Sequence, residues 1–99
     1  MIIYSVTIII EDSIVDEWEL WMKKKHIPDI MNTQLFTNYS FLKDLNSHNK
    51  YIIQYELDSI QNYMQYTQLF ALKLQNEHAE KFGKNYKAWR SLLTKKNFN

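Results

Sequence analysis

Two histidines and a glutamate carry most of the chemistry this chain could perform. An imidazole with an ordinary pKa near 6.5 is moved across neutrality by burial or by a neighbouring carboxylate, so a histidine in a cleft can serve as acid, base or ligand. His78 lies in the apolar stripe Ile60, Tyr63, Met64, Thr67, Ala71, Leu74 and Phe82, which directs it into a helix–sheet interface. There it is either a buried neutral histidine with one nitrogen satisfied or a base at a cleft. His26 directly precedes Ile27 and Pro28, the only proline. It either hydrogen-bonds the carbonyls that a proline break leaves unpaired or contributes to binding. Glu56, beside Gln54, becomes an acid–base candidate if its strand face is covered, because a carboxyl in a closed cavity has a raised pKa. On an open edge it is a solvated or salt-bridged side chain. His48 falls in a turn cluster and is expected to face solvent.

A metal is not expected. Zinc takes three or four ligands at characteristic spacings, which this sequence lacks. With antiparallel helices rising about 1.5 Å per residue, His26 and His78 are expected on the order of 20 Å apart within one chain, so a shared site would need dimerisation. No nucleophile with its base, no phosphate loop and no cofactor-binding pattern is present.

The elements that position these groups follow from periodicity. Ile2 to Ile10 alternates, with Tyr4, Val6, Ile8 and Ile10 on one face and Ile3, Ser5, Thr7 and Ile9 on the other. Asp12 and Ser13 offer helix caps, and Asp16 and Glu17 suit the positive end of the helix that follows. Its inward arc is Ile14, Val15, Trp18, Trp21 and Met22. A break is expected at Ile27, before Pro28, with a turn through Asp29 to Asn32. Phe36–Leu45 and Tyr51–Leu57 read as a hairpin across Asn46-Ser47-His48-Asn49. Ser59 caps a long second helix that Gly83 ends. Tyr66, Leu69 and Leu72 fall outside its main stripe. Tyr86 to Leu93 is a last strand, and residues 95–99 a flexible tail behind a single domain, residues 1–94. The order βαββαβ makes an α+β, ferredoxin-like fold: an antiparallel four-stranded sheet with two helices on one face, the first and third strands central. The other face, carrying Ile3, Ile9, Ile52, Gln54 and Glu56, or the alternate set if the register shifts by one, is left half-apolar and uncovered. Trp18 and Trp21, with Gln54 and Tyr55 on the third strand, are the candidate ligand-binding residues. Aromatic side chains at such spacings also serve simply as core, and Trp89 reads the same way, as strand packing.

Composition narrows the function classes. The 99 residues include 45% hydrophobic and 15% aromatic side chains, enough for one core and no second domain. A formal net charge of +1 and a single arginine, Arg90, argue against a nucleic-acid partner. The third strand also lacks the glycine that RNA-recognition modules place among their aromatics. No cysteine is present, which removes thiolate chemistry and fits a cytoplasmic location. No apolar run approaches a membrane span.

Several motifs in one order resemble a known family: the opening Met1-Ile2-Ile3-Tyr4-Ser5-Val6-Thr7, Trp18/Trp21-Met22/His26-Ile27-Pro28, Thr33 with Phe36, Gln54-Tyr55, His78 with Phe82-Gly83, and Ala88-Trp89-Arg90. Together they are similar to the bacterial domain-of-unknown-function family 4286. Gln34 departs from that pattern, standing where glycine usually follows the threonine. The resemblance implies a likeness to dimeric α/β-barrel proteins, in which two protomers pack sheet against sheet, and it brings no established reaction. Two expectations follow. One is a cytoplasmic homodimeric binding or interaction protein, with a small molecule as a further partner. The other is a monooxygenase- or isomerase-like enzyme acting on a small aromatic or carbonyl compound, with His78, His26 or Glu56 as its acid or base.

Overall fold

The computed structural model describes residues 1–98. β1 (Ile2–Ile10) pairs antiparallel with β3 (Lys50–Leu57) on one side and β4 (Tyr86–Thr94) on the other, and β2 (Asn38–Lys43) adds to β3, giving the order β2-β3-β1-β4. Alternation sets the faces: Tyr4, Val6, Ile8 and Ile10 lie beside Tyr51, Ile53, Tyr55 and Leu57, and all eight are buried. This core face carries the helices, in the expected register. The opposite face holds Ile3, Ile9, Ile52, Gln54 and Glu56, and the register adds Leu42, Trp89 and Leu93. Trp89, Leu42 and Leu93 are 44–46% exposed, so Trp89 belongs to the open face and not to the packed core expected for it.

Helix α1 (Val15–Trp21) starts without its expected caps. Asp12–Ile14 forms a 3-10 turn that makes no side-chain cap, and the Asp12 carboxylate instead accepts from Asn49 Nδ2 and, at 2.6 Å, meets His48 Nε2. Nor does the chain break at Ile27. Met22–His26 forms a π turn closed by Ile27 N–H donating to the Met22 carbonyl, and α2 (Ile27–Met31) continues directly with Pro28 at its first turn. Proline removes one helical hydrogen bond and crowds the carbonyl four residues earlier. The wider turn ahead of it relieves the crowding without leaving helical geometry.

The second long helix is also interrupted. Ser59 Oγ accepts from Asn62 N–H and caps α3 (Ile60–Leu69) as expected, but Phe70 turns out of helical geometry (φ −129°, ψ −34°) before α4 (Ala71–Phe82). The interruption rotates α3 relative to a straight projection. Tyr66, expected off the inward stripe, is therefore buried, while Ile60, Met64 and Thr67 are exposed. Leu69 and Leu72 remain exposed, and Ala71, Leu74, His78 and Phe82 face inward as expected. Gly83 ends α4 with φ 57°.

Gln34, where the resemblance anticipates glycine, takes φ 63°. That explains the glycine preference, since this region is costly for a residue with a Cβ. Asn49 closes the β2–β3 turn at φ 52°, a conformation asparagine tolerates better than most. Residues 95–98 are exposed and irregular; Asn99, the end of the expected tail, lies outside the described residues.

Candidate functional site

The π turn redirects one side chain that matters. His26 follows Trp18 by eight residues, which in a regular α-helix would rotate it about 80° away from the tryptophan's line. The turn's extra residue brings it back inward, where it is 92% buried by its 8% exposure and stacks on Trp21 with ring centroids 5.0 Å apart. From α4, His78 meets it at 5.6 Å between ring centroids. The expected separation of about 20 Å is thus overturned. His78 sits only four residues before the end of α4, and α4's end lies near the start of α1. Side chains also tilt toward the N-terminus of their own helix, so on antiparallel helices these two lean toward each other. His26 consequently does not cap a helix end.

Hydrogen bonding differentiates the pair. Trp18 Nε1–H donates to His78 Nε2 at 2.9 Å in a buried contact. An acceptor at Nε2 leaves the proton of neutral His78 on Nδ1. The Tyr86 ring packs edge-on to His78 at 4.3 Å, and Phe82 closes against Trp21. His26 Nδ1 is buried and has no hydrogen-bond partner among the described residues. Burial pushes the pKa of His26 down to about 4, with Asp29 opposing and Arg90 and Lys25 assisting. Burial, then His26 and Arg90, lowers His78 to about 4 as well. Both imidazoles are therefore neutral at pH 7.

Next to them lies a cavity of about 30 Å³ between the helices and the sheet, lined among others by His26, His78, Tyr4, Tyr66, Gln75 and Arg90. That is room for one or two water molecules. Burial raises the Tyr4 hydroxyl pKa, opposed by Arg90 and Gln75 beside it. Tyr55 and Tyr66 are raised by burial too, so all three phenols stay protonated. Tyr4, Phe36, Tyr55 and Tyr66 form a continuous aromatic layer beneath.

The candidates read from the sequence divide between the two faces. His26, His78, Trp18, Trp21 and Tyr55 share the helix side; Gln54 and Glu56 lie on the open face, across the sheet from the histidines. Glu56 therefore cannot act with them within one chain. His48 is exposed. Among the described residues, no three His, Asp or Glu side chains converge as metal ligands would. The residues that sequence reasoning overlooked are Tyr4, Gln75 and Arg90. Arg90 had a usable signal, because it shares strand parity with Tyr86 and Ala88 and so must point to the helix side.

The chain belongs to the family described as Domain of unknown function (DUF4286), whose model matches residues 1–96. No curated protein matches it in sequence. Solved structures share its fold. A variant of SnoaB, a cofactor-independent oxygenase from Streptomyces nogalater, superposes with a TM-score of 0.77 at 10% identity, covering 98% of this chain and 94% of that one. A dimeric ferredoxin-like protein from an uncultured marine organism gives 0.64 at 16% identity, covering 100% and 99%. An antibiotic biosynthesis monooxygenase gives 0.61 at 10%, covering 92% and 96%.

Proposed function

We propose that the protein is a cytoplasmic homodimer that binds a small polar molecule in the cavity beside His26 and His78. The observation that carries this reading is His26 Nδ1: a buried polar atom without a partner among the described residues costs on the order of 1–3 kcal/mol, and the His26 ring lines the cavity. Two neutral imidazoles recognise a guest by hydrogen bonds without first losing a proton. Dimerisation through the open sheet face is supported by its exposed Ile9, Leu42, Trp89 and Leu93, and by the dimeric state of a ferredoxin-like neighbour. The lack of cysteine fits a reducing compartment.

The binding test uses ¹⁵N-labelled protein and the Trp18 indole N–H resonance, which reports on His78 directly. Titration with formamide, acetamide, formate or acetate is expected to give a saturable shift from at least one of them, lost in His26→Phe. Absence of any saturable shift would remove the cavity reading. For the assembly, sedimentation at micromolar concentration is expected to show a dimer, and a strict monomer would overturn that half.

A second reading is an enzyme acting on a small aromatic or carbonyl compound, favoured by the fold shared with SnoaB and by the fixed tautomer of His78. An aromatic ring would require the cavity to widen, since a ring the size of benzene occupies a cavity of about 150 Å³. Oxygen uptake or substrate proton exchange that disappears in both His26→Gln and His78→Gln would establish it.

A further inference from the structure

We infer that the cavity is an anion site, taking the carboxylate head of a small organic acid with Arg90 as its charge partner. The inference rests on the small-molecule reading of the same cavity and adds the charge and size of the guest. Three observations carry it. First, the lining contains no aspartate or glutamate. Arg90, the only arginine, forms no ion pair with a carboxylate among the described residues, although five other ion pairs are present. A guanidinium in a wall of otherwise neutral groups makes the net charge of the lining positive. Its influence reaches Tyr4, Tyr66, His26 and His78, whose titrations it biases in each case toward the more negative form.

Second, the polar groups around the cavity can supply several donors. The Trp18–His78 hydrogen bond places a proton on His78 Nδ1, the Tyr4 phenol keeps its proton, and Gln75 offers an amide N–H₂. Arg90 presents a fork that matches the two oxygens of a carboxylate. An ionised carboxylate is an acceptor at both oxygens, so it satisfies donors that a neutral guest would satisfy only in part.

Third, size fixes the class. A volume of about 30 Å³, room for one or two water-sized atoms, admits the oxygens of a carboxylate and excludes a ring. Arg90 is exposed on β4, the edge strand, and lines the cavity. The rest of the acid would extend past it toward solvent.

The test compares isosteres at constant ionic strength, following the Trp18 indole resonance. Acetate and formate are expected to bind at least tenfold more tightly than acetamide and formamide. Arg90→Gln is expected to weaken acetate at least tenfold and leave acetamide unchanged, and Arg90→Lys, which keeps the charge, to stay within about fivefold of the parent protein. Unfolding curves confirm that each variant is folded. Acetamide binding as tightly as acetate, or acetate binding unchanged in Arg90→Gln, overturns the anion assignment while leaving a cavity that binds small molecules. A resonance that none of the four compounds shifts overturns both.

Discussion

Acidification below neutrality should destabilise this protein, and the histidine pair sets the size of the effect. In the unfolded chain His26 and His78 titrate near 6.5, whereas in the folded chain burial holds both near 4. A depressed histidine pKa means that the folded state refuses a proton the unfolded state accepts. The stability it contributes is complete above about pH 7 and declines as pH falls from 6.5 toward 4. At pH 5 the unfolded chain gains about 2 kcal/mol from each histidine, hence ~4 kcal/mol for the pair, relative to pH 7.5. A domain of this size has about 5–15 kcal/mol in total, so the loss is a large share. The groups facing the pair do not cancel it: Asp29 raises the His26 pKa, but Arg90 and Lys25 lower it, and Arg90 also lowers that of His78. The Asp12 carboxyl, held below its usual range by hydrogen bonds from His48 and Asn49, titrates below this window. Urea unfolding followed by tryptophan fluorescence at pH 7.5, 6 and 5, at one fixed protein concentration, measures the slope. The parent protein should lose about 4 kcal/mol and His26→Phe about half of that. Stability level to within about 0.5 kcal/mol across the range, or an undiminished loss in His26→Phe, would refute the reasoning.

Three further outcomes follow from single positions. Gln34→Gly should raise stability by ~0.5 kcal/mol, since relief of the left-handed strain at φ 63° exceeds the added freedom of the unfolded chain; thermal melting should rise by a few degrees. Trp18→Phe should cost about 2–4 kcal/mol in chemical denaturation, because it leaves a void at a fully buried site and strips His78 Nε2 of its donor. Trp89→Glu, on the open sheet face, should shift the sedimentation profile to monomer while leaving far-ultraviolet circular dichroism intact.

Strand faces were legible in the sequence because period two leaves only two choices, and Ser5 and Thr7 marked the less apolar face of Ile2 to Ile10. The helices were less so, since a projection at 100° per residue assumes that nothing interrupts the ladder. One interruption at Phe70 moved Tyr66 from outside the stripe to the core, and the π turn moved His26 from a supposed helix end into the interior. The site suffered most, because it depends on two helices converging. The sequence named both histidines and both tryptophans, yet their contact follows from tilt, crossing and the π turn together. Arg90 was read as a charge and a motif residue but not as a site residue, although the expected topology already put β4 beside β1 and its strand parity with Tyr86 and Ala88 aimed it at the helix side.

The π turn itself can be tested by removing one residue. Pro28 would crowd the carbonyl of Lys24 in a regular helix, and Met22–His26 avoids this by bonding Ile27 N–H to the Met22 carbonyl, five residues back. Deleting Lys24 returns the segment to α-helical spacing. His26 then follows Trp18 by seven residues and stays within about 20° of its line, so the histidine pair survives. The proline, however, now sits inside a regular helix and should cost about 3 kcal/mol. Adding Pro28→Ala to the deletion should restore most of that loss, whereas Pro28→Ala alone, in a turn already adapted to proline, should change stability by less than about 1 kcal/mol. The acid sensitivity should persist in the doubly altered chain, because its cause is the burial of His26 against His78 and not the turn that delivers it. A deletion as stable as the parent, or one that Pro28→Ala does not rescue, would mean that something other than the proline maintains the π turn. Loss of acid sensitivity with stability restored would mean that the extra residue is what brings the two imidazoles together.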